Sequence, residues 1–275
     1  MSIYIAILCG LAQGAAEFLP VSSSAHLALL ERTFSSAGFA PDVTFDLLLH
    51  LGTLIAVFFV YFKDIAKLFP AAFSVVSKAA RLRFSLSKAE KEEKLVCFLF
   101  LSTLPLCLAF FIKDQVLFVR EYPFAIGALL ILNGVMLLIS DFLKRNADKK
   151  RDMTLFGALT VGAFQLFALF PGISRSGATV TGSLLCGLDR KEAVKYSFLL
   201  SFPAIIGANL FSLGEADLSS LEGDAAACYL LGAITAAVSG FFAIKLLIKI
   251  SGSSRFAPFA YYCIALGTAA VLFNR

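Results

Sequence analysis

The sequence predicts an all-α, polytopic membrane protein: an inverted-topology repeat with six transmembrane helices and two re-entrant broken helical hairpins. Its composition indicates a membrane protein, because 59% of the 275 residues are hydrophobic and only 16% are charged, against about 25% in an average soluble domain. The mean hydropathy is +0.85. The lengths of the apolar stretches and the placement of the charged loops then predict the helices and their topology.

Six uninterrupted apolar stretches can cross a bilayer, whose hydrocarbon core takes about twenty helical residues. The first five are 45–62, 95–112, 124–143, 193–213 and 228–249, and the sixth, 257–273, is only just long enough. Two further apolar stretches, 3–30 and 155–187, are interrupted near their middle by proline, serine and small residues. We expect each of these two stretches to form a broken helix inside the membrane.

The charged loops predict which helix ends face the cytoplasm. Residues 63–94 contain eight Lys or Arg, residues 144–152 contain five and residues 245–255 contain three, so we expect all three segments to be cytoplasmic. Residues 214–227 carry four acidic residues and no Lys or Arg, and are expected outside. The net charge of +5 is concentrated in these loops, so it indicates topology and no nucleic-acid partner.

Counting the crossings predicts that the broken stretches re-enter. Two full crossings after segment 144–152 would return the chain to the cytoplasm before the acidic segment 214–227. The broken stretch 155–187 must therefore enter and leave on the cytoplasmic side, and by the same logic stretch 3–30 dips in from the outside. The basic residues 63–94 are expected to form a solvated cytoplasmic helix that also contacts anionic lipid.

An internal repeat supports this topology. When Gln13 is aligned with Gln165, Ser22 falls opposite Ser174 and Ser24 opposite Ser176 without gaps. Between them, Ser23 falls opposite Arg175. Each broken stretch is followed by three spans, and the two halves begin on opposite sides. We therefore predict a single membrane domain, 1–275, made of repeats at about 1–143 and 153–275, whose broken helices meet near mid-membrane.

The first broken stretch contains the segment QGAAEFLPVSSSAH, residues 13–26. Gln13 and Glu17 share one helix face at a spacing of four, and a buried carboxylate needs a cation, a proton or hydrogen bonds. Pro20 ends this helix, and three serines are placed to cap a new helix near Ala25 and to bind an anion at its N-terminus: Ser22, Ser23 and Ser24. His26 falls in the first turn. Alone, such a glutamate, histidine or serine cap is often only structural.

The second broken stretch contains the segment PGISRSGAT, residues 171–179. Gly172 lets the backbone approach a ligand closely, and hydroxyls are offered by Ser174, Ser176 and Thr179. Arg175 carries a planar fork of donors that suits a phosphate, and at mid-membrane it must meet an anion. That anion is either Glu17, in a structural salt bridge, or a ligand phosphate, and the surrounding hydroxyls favour the phosphate. The segment is not a P-loop, because it lacks the GKS or GKT lysine.

Together the two stretches supply the groups that a diphosphate requires. A divalent cation on Gln13 and Glu17, with the Arg175 guanidinium, would neutralise phosphate oxygens. Ser23 or His26 could attack phosphorus, or His26 could serve as acid or base.

These residues resemble the bacterial undecaprenyl-diphosphate phosphatases of the bacitracin-resistance type. The resemblance is carried by the (E/Q)xxxE element of residues 13–17, the serine-rich turn before His26 and the PGxSRSxxT motif of residues 171–179, and it extends to residues 45–57 and 187–208. Ala25 departs from the pattern, since members commonly have glycine there, and this disfavours a left-handed backbone at that position.

The resemblance implies an enzyme of the bacterial cytoplasmic (inner) membrane that hydrolyses undecaprenyl diphosphate to the monophosphate carrier of peptidoglycan synthesis and confers bacitracin resistance. It implies activation by Mg²⁺ or Ca²⁺ and an active site facing the outer side. Carried over to this sequence, Gln13 and Glu17 are the metal or water site, and Ser23 or His26 is the attacking or proton-handling group. Arg175 and its neighbours hold the diphosphate: Ser22, Ser24, Gly172, Ser174, Ser176 and Thr179.

Two rival functions follow from the same residues. A polyprenyl-phosphate transporter or flippase would bind this headgroup without hydrolysing it, but binding alone does not call for acid–base groups beside the serines. A lipid phosphatase of the vanadate-haloperoxidase type needs a Pro-Ser-Gly-His stretch, which the sequence lacks. The expected partners are the polyprenyl diphosphate lipid and the bilayer, and the oligomeric state, a homodimer included, is left open.

Overall fold

The computed structural model describes residues 2–35, 42–145, 152–217, 224–252 and 255–273, and every regular element in these ranges is helical. The α-helices are α1 (Ile3–Phe18), α2 (Ser23–Phe34), α3 (Val43–Val60), α4 (Phe62–Ala80), α5 (Lys91–Thr103), α6 (Ala109–Glu121), α7 (Pro123–Arg145), α8 (Leu155–Phe167), α9 (Arg175–Leu185), α10 (Arg190–Ser212), α11 (Asp224–Ser251) and α12 (Ala257–Phe273). The predicted all-α fold is confirmed.

Five helical segments are long and apolar enough to cross a membrane: Val43–Val60, Lys91–Glu121, Pro123–Phe142, Arg190–Glu215 and Ala225–Ser251. They correspond to the five uninterrupted spans that the sequence predicts. The sixth, α12, has 17 residues and packs along α7. The span predicted at 95–112 is longer than expected, because a 3₁₀ segment at Leu104–Leu108, which contains Pro105, joins α5 to α6.

The first broken stretch enters and leaves on one face. Helix α1 runs beside α11 in the same direction, and a Cβ added to Gly14 would lie 2.0 Å from Ser239 Oγ and 2.3 Å from Ala236 O. Such close backbone approach is typical of small residues at membrane helix interfaces. Helix α2 then turns back, and its Glu31 pairs with Arg120 at the end of α6, beside Asp46 at the start of α3. We call this the Arg120 face.

The second broken stretch enters from the opposite face. Helix α8 runs beside α5 in the same direction, with Ser102 Oγ donating to Ala158 O at 2.7 Å. Helix α9 returns, since Cys186 Sγ contacts the Gly157 oxygen near the start of α8 at 3.6 Å. Helix α5 begins where Glu93 pairs with Lys78, which we call the Glu93 face. The predicted pair of re-entrant hairpins, one from each face, is therefore confirmed.

The described parts of the charged segments divide between these two faces as predicted, but the segment 245–255 is not the turn that the sequence predicted. Helix α11 continues to Ser251, so Lys245 and Lys249 lie on a helix and not in a turn. Residues 146–151 and 218–223 lie outside the described residues, and with them most of the basic segment 144–152 and part of the acidic segment 214–227.

The basic segment 63–94 contains a helix, but it is not simply solvated. Helix α4 exposes Lys63, Lys67 and Lys78. It also exposes large apolar side chains, with Phe69 63% and Phe73 78% accessible. A helix with one basic and one apolar exposed surface is typical of the membrane interface.

Three helices are joined at the Glu93 face by one buried carboxylate. Asp141 of α7 accepts hydrogen bonds from the backbone N–H groups of Phe256 and Ala257, both at 2.9 Å, at the start of α12. It also pairs with Arg190 of α10. The Arg190 guanidinium stacks over the Phe256 ring, 4.2 Å from its centroid, so one cluster holds α7, α10 and α12 in place.

We expect Asp141→Asn to destabilise the fold by about 3 kcal/mol, because removing one partner of a buried ion pair leaves the other charge uncompensated. The matched control is Asp64→Asn, which breaks the more exposed pair with Lys195 and should cost less than about 1 kcal/mol. Unfolding in detergent, followed by helical circular dichroism, measures both. Equal losses in the two variants would contradict the structural role of Asp141.

Candidate active site

The first break is a turn at Leu19–Ser22 that places a left-handed residue before α2. Ser22 has φ 69°, and α2 begins at Ser23, two residues before the position predicted from sequence. The predicted cap is wrong in this respect: the Ser22 hydroxyl makes no capping bond to its own helix. It instead accepts a hydrogen bond from the Gly172 N–H at 3.1 Å. Ala25 lies inside α2, so its side chain is compatible with the turn.

The second break is a turn that only glycine can make. Gly172 has φ +114°, and a Cβ there would lie 2.5 Å from Leu129 Cβ and 2.8 Å from Ile126 O of α7. Ser174 then caps α9, since its Oγ accepts from the Gly177 N–H at 3.2 Å. The turn therefore packs tightly on α7 and presents Arg175 at the start of α9.

Asn133 of α7 holds both breaks at once, and it is fully buried. Its Nδ2 donates to Pro20 O in the first turn at 3.0 Å, and its Oδ1 accepts from the Ser174 N–H in the second at 3.0 Å. The amide also contacts Cys263 Sγ of α12 at 3.3 Å. One side chain thus fixes the distance between the two broken helices.

The residues predicted from the two halves meet at the Glu17 carboxylate. Arg175 Nη2 donates to Glu17 Oε1 at 2.6 Å. The other oxygen, Oε2, accepts from Ser23 Oγ at 2.6 Å and from Gln13 Nε2 at 3.2 Å. Four of the predicted site residues therefore form one connected group, although α1 and α9 are more than 150 residues apart in sequence.

This ion pair lies mostly away from solvent, with 7% of the Glu17 side chain and 19% of the Arg175 side chain accessible. Taking two such charges out of water is costly, and their attraction offsets that cost only when hydrogen bonds satisfy the remaining oxygens. Ser23 and Gln13 supply those bonds. Within the described residues, Nη2 is the one Arg175 nitrogen that has a bonded partner, so Nη1 and Nε remain to bind an anion.

The donors for a cation are few but suitable. Gln13 Oε1 is buried and has no hydrogen-bond partner among the described residues, and it lies on the same amide that contacts Glu17. The described part of the chain contains no group of three or more His, Cys, Asp and Glu residues that could hold a metal. One carboxylate and one amide oxygen suit Mg²⁺, which usually takes its other oxygens from water and substrate phosphates.

The remaining predicted site residues lie around this group. Ser24 is exposed and contacts the Ser22 hydroxyl at 3.3 Å, and Ser176 contacts Ser174 at 3.0 Å. The Thr179 hydroxyl is buried and bonds to Arg175 O at 2.8 Å and to Ser197 Oγ at 2.6 Å. In this structure Thr179 thus supports the turn that carries Arg175, and its contact with substrate stays a prediction.

His26 makes no hydrogen bond to the Glu17 carboxylate within the described residues. Its Nδ1 lies 2.7 Å from Ser22 O and its Nε2 lies 2.7 Å from the Tyr262 hydroxyl of α12. The sequence predicted that His26 faces the same space as the serines, and its ring is held at the edge of that space.

Sequence reasoning missed three residues near the site: Asn133, Tyr262 and His50. His50 lies within electrostatic range of Glu17 and its Nδ1 is 2.8 Å from Asp46 O. Asn133 and His50 carried a usable signal, because each is a polar residue within a predicted span, where such residues are rare and commonly functional. Tyr262 carried none, since tyrosine is common in membrane helices.

Comparison with known proteins identifies the family of this chain. The family described as "Bacitracin resistance protein BacA" matches residues 6–269. A protein of Pelotomaculum thermopropionicum described as "Undecaprenyl-diphosphatase" is 34% identical over 99% of this chain and 97% of its own. Proteins with the same description from Treponema denticola and Methanosphaera stadtmanae are 37% and 33% identical, over 97% and 100% of this chain and 96% and 99% of their own.

We expect Asn133→Ala to destabilise the protein by about 1–3 kcal/mol for each backbone group left unpaired, here Pro20 O and the Ser174 N–H. The control is Ser140→Ala in the same helix, which removes only a local bond to Leu137 O and should be nearly neutral. Thermal unfolding in detergent measures both. If the two variants melt together, Asn133 does not hold the two turns.

Proposed function

The chain belongs to the BacA family of bacitracin resistance proteins, and we propose that it removes the terminal phosphate of undecaprenyl diphosphate at the Glu17–Arg175 centre. It is an undecaprenyl-diphosphate phosphatase embedded in the membrane. The observation that carries the location of its active site is the connected group of Ser23, Glu17 and Arg175, in which two broken helices from different halves meet.

Arg175 binds the diphosphate in this proposal. Its guanidinium donates to Glu17 through Nη2, and Nη1 and Nε remain to donate to phosphate oxygens. This suits the bidentate geometry that arginine prefers. The guanidinium would stabilise negative charge on the transferring phosphoryl group and on the leaving lipid phosphate. The hydroxyls of Ser24 and Ser176, which among the described residues bond only to other serine hydroxyls, would add hydrogen bonds to the phosphate.

Ser23 is the proposed nucleophile, with Glu17 as its base. The Ser23 hydroxyl donates to Glu17 Oε2 at 2.6 Å, which is the contact expected between an activated nucleophile and its base. As Ser23 Oγ bonds to the terminal phosphorus, its proton passes to Glu17 and the anhydride P–O bond breaks, releasing undecaprenyl phosphate. Water then attacks the phosphoserine, releasing inorganic phosphate and restoring the Ser23 hydroxyl.

His26 is proposed to exchange protons and not to attack phosphorus. Both ring nitrogens are already engaged, by Ser22 O and by the Tyr262 hydroxyl. It lies in the first turn of α2, three residues after Ser23. We expect it to take the proton that water loses when it attacks the phosphoserine.

A divalent cation, Mg²⁺ or Ca²⁺, would be held by Glu17 and by the unpartnered Gln13 Oε1. When bound, it would neutralise diphosphate oxygens and so lower the barrier to attack. Gln13 also orients the Glu17 carboxylate through its Nε2.

We propose the bacterial cytoplasmic membrane as the location, with the active site opening to the outer side. Helices α1 and α2 enter from the Arg120 face, which also carries Asp46, Glu31 and Glu215. The lysines of α4 and of the end of α11 lie at the opposite face. The excess of positive charge on the Glu93 face is the usual sign of a cytoplasmic surface.

We expect Glu17→Gln, Arg175→Ala and Ser23→Ala each to lower kcat by about 10²-fold or more. The first variant removes the base, the second the charge stabilisation and the third the nucleophile. Phosphate release from undecaprenyl diphosphate in detergent with Mg²⁺ measures this. The control is Glu215→Gln, which breaks only the surface pair with Lys113. Wild-type rates in the Glu17 and Arg175 variants would remove the proposed centre.

The nucleophile can be identified by an acid quench of the enzyme with substrate radiolabelled at its terminal phosphate. We expect acid-stable label on Ser23 in the wild-type protein, and none in Ser23→Ala. A parallel alkaline quench preserves phosphohistidine, so label on His26 after that quench, or full turnover by Ser23→Ala, would contradict the assignment and favour histidine or water.

We expect Gln13→Glu to lower the Mg²⁺ concentration for half-maximal activity several-fold, because a second carboxylate strengthens binding of a hard cation. Gln13→Leu should raise it, since it removes the amide oxygen. Activity titrated with Mg²⁺ checks both variants, and an unchanged midpoint in both would exclude Gln13 from the cation site.

A further inference from the structure

We propose that Tyr262 is the positioning residue of His26, and that it holds Nε2 of this histidine as the nitrogen that takes up and releases the proton. Tyr262 lies on α12, far in sequence from the two motifs. The proposal rests on the participation of His26 in the reaction, as described above.

The backbone fixes the tautomer of His26. A carbonyl oxygen can only accept a hydrogen bond, so the 2.7 Å contact between Nδ1 and Ser22 O requires the proton to be on Nδ1. In the neutral ring the lone pair is then on Nε2. That nitrogen accepts from the Tyr262 hydroxyl, which lies 2.7 Å away.

The ring of Tyr262 fixes the orientation of the imidazole as well as its partner. The two ring planes are inclined by only 9°, with centroids 5.7 Å apart. Tyr262 is itself held near the first break, because the next residue, Cys263, is buried and contacts Pro20 O at 3.7 Å and Asn133 Nδ2 at 3.3 Å. The position of His26 is therefore set by α12 as well as by its own helix.

A tyrosine hydroxyl suits both protonation states of the histidine. It donates to Nε2 when the ring is neutral, and it accepts from Nε2–H when the ring is an imidazolium, by rotating its own hydrogen. Because the Nε2 lone pair points at the Tyr262 oxygen, the proton reaches Nε2 through that hydroxyl: the oxygen takes the proton of the attacking water as its own hydrogen passes to Nε2, and Tyr262 ends each cycle unchanged. Phenylalanine can reproduce the ring contact but neither hydrogen bond, so it would leave Nε2 without a partner.

The test is Tyr262→Phe, assayed for phosphate release with the full chain in detergent. We expect kcat to fall about tenfold, a part of what general acid–base catalysis contributes, with KM changed by less than about twofold because Tyr262 does not touch the diphosphate in this scheme. The matched control is Tyr261→Phe, since the neighbouring tyrosine is 63% exposed and its hydroxyl makes no hydrogen bond among the described residues. It should retain wild-type kcat.

A double variant separates this proposal from the proposed function. If Tyr262 acts through His26, His26→Asn with Tyr262→Phe should be no slower than His26→Asn alone, whereas additive losses would overturn the proposal. An unimpaired His26→Asn enzyme would instead overturn the role of His26. If His26→Asn is slow but Tyr262→Phe keeps a kcat within about twofold of wild type, only the role of Tyr262 is overturned.

A spectrum of the wild-type protein tests the geometry without relying on any variant's stability. The chain contains two histidines, so ¹⁵N labelling of histidine gives only two imidazoles, and His26→Asn assigns them. We expect neutral His26 to carry its proton on Nδ1, and the Nε2 resonance to move in Tyr262→Phe but not in Tyr261→Phe. A proton on Nε2 in the neutral ring, or an Nε2 resonance unmoved by Tyr262→Phe, would overturn the proposal.

Discussion

The buried ion pair between Glu17 and Arg175 is the constraint on which the rest of the site depends. Both charges lie at helix ends beside the turns that interrupt the two apolar stretches, Glu17 at the end of α1 and Arg175 at the start of α9, and each alone would be costly to bury. They tolerate burial because the two turns bring Arg175 Nη2 to within 2.6 Å of Glu17 Oε1. That proximity in turn requires Asn133, which bonds both turns, and Gly172, which lets the second turn pack against α7.

Much of this architecture could be predicted from sequence, because the membrane restricts the alternatives. Apolar length predicted the spans, and loop charge with a count of crossings predicted that both broken stretches re-enter. The i, i+4 spacing of Gln13 and Glu17 and the buried charge of Arg175 predicted that these three residues meet at one centre. These inferences rest on the cost of burying charge and on the length of apolar segments. Neither depends on which helices pack against each other.

What the sequence could not provide was the direction of individual side chains and the packing between distant helices. Three serines after a proline suggested a cap, but the positive φ of Ser22 turns its hydroxyl towards Gly172 of the other half. His26 was expected to share the space of the serines, and its Nε2 lies 2.7 Å from the hydroxyl of Tyr262, which no local pattern had singled out. Both outcomes depend on helices more than 100 residues away, whose approach no local pattern encodes.

The extensive packing of α1 on α11 has a consequence for the order in which the protein assembles. The segment bearing Gln13 and Glu17 leaves the ribosome first, but Gly14 packs against Ser239 and Ala236, which are made more than two hundred residues later. Until then the first hairpin lacks the helix that it packs against, and its carboxylate has a partner only once Arg175 of α9 has been made. The amino-terminal half therefore cannot complete its own fold during synthesis, and a nascent chain arrested before α9 would expose an unpaired acid within the bilayer.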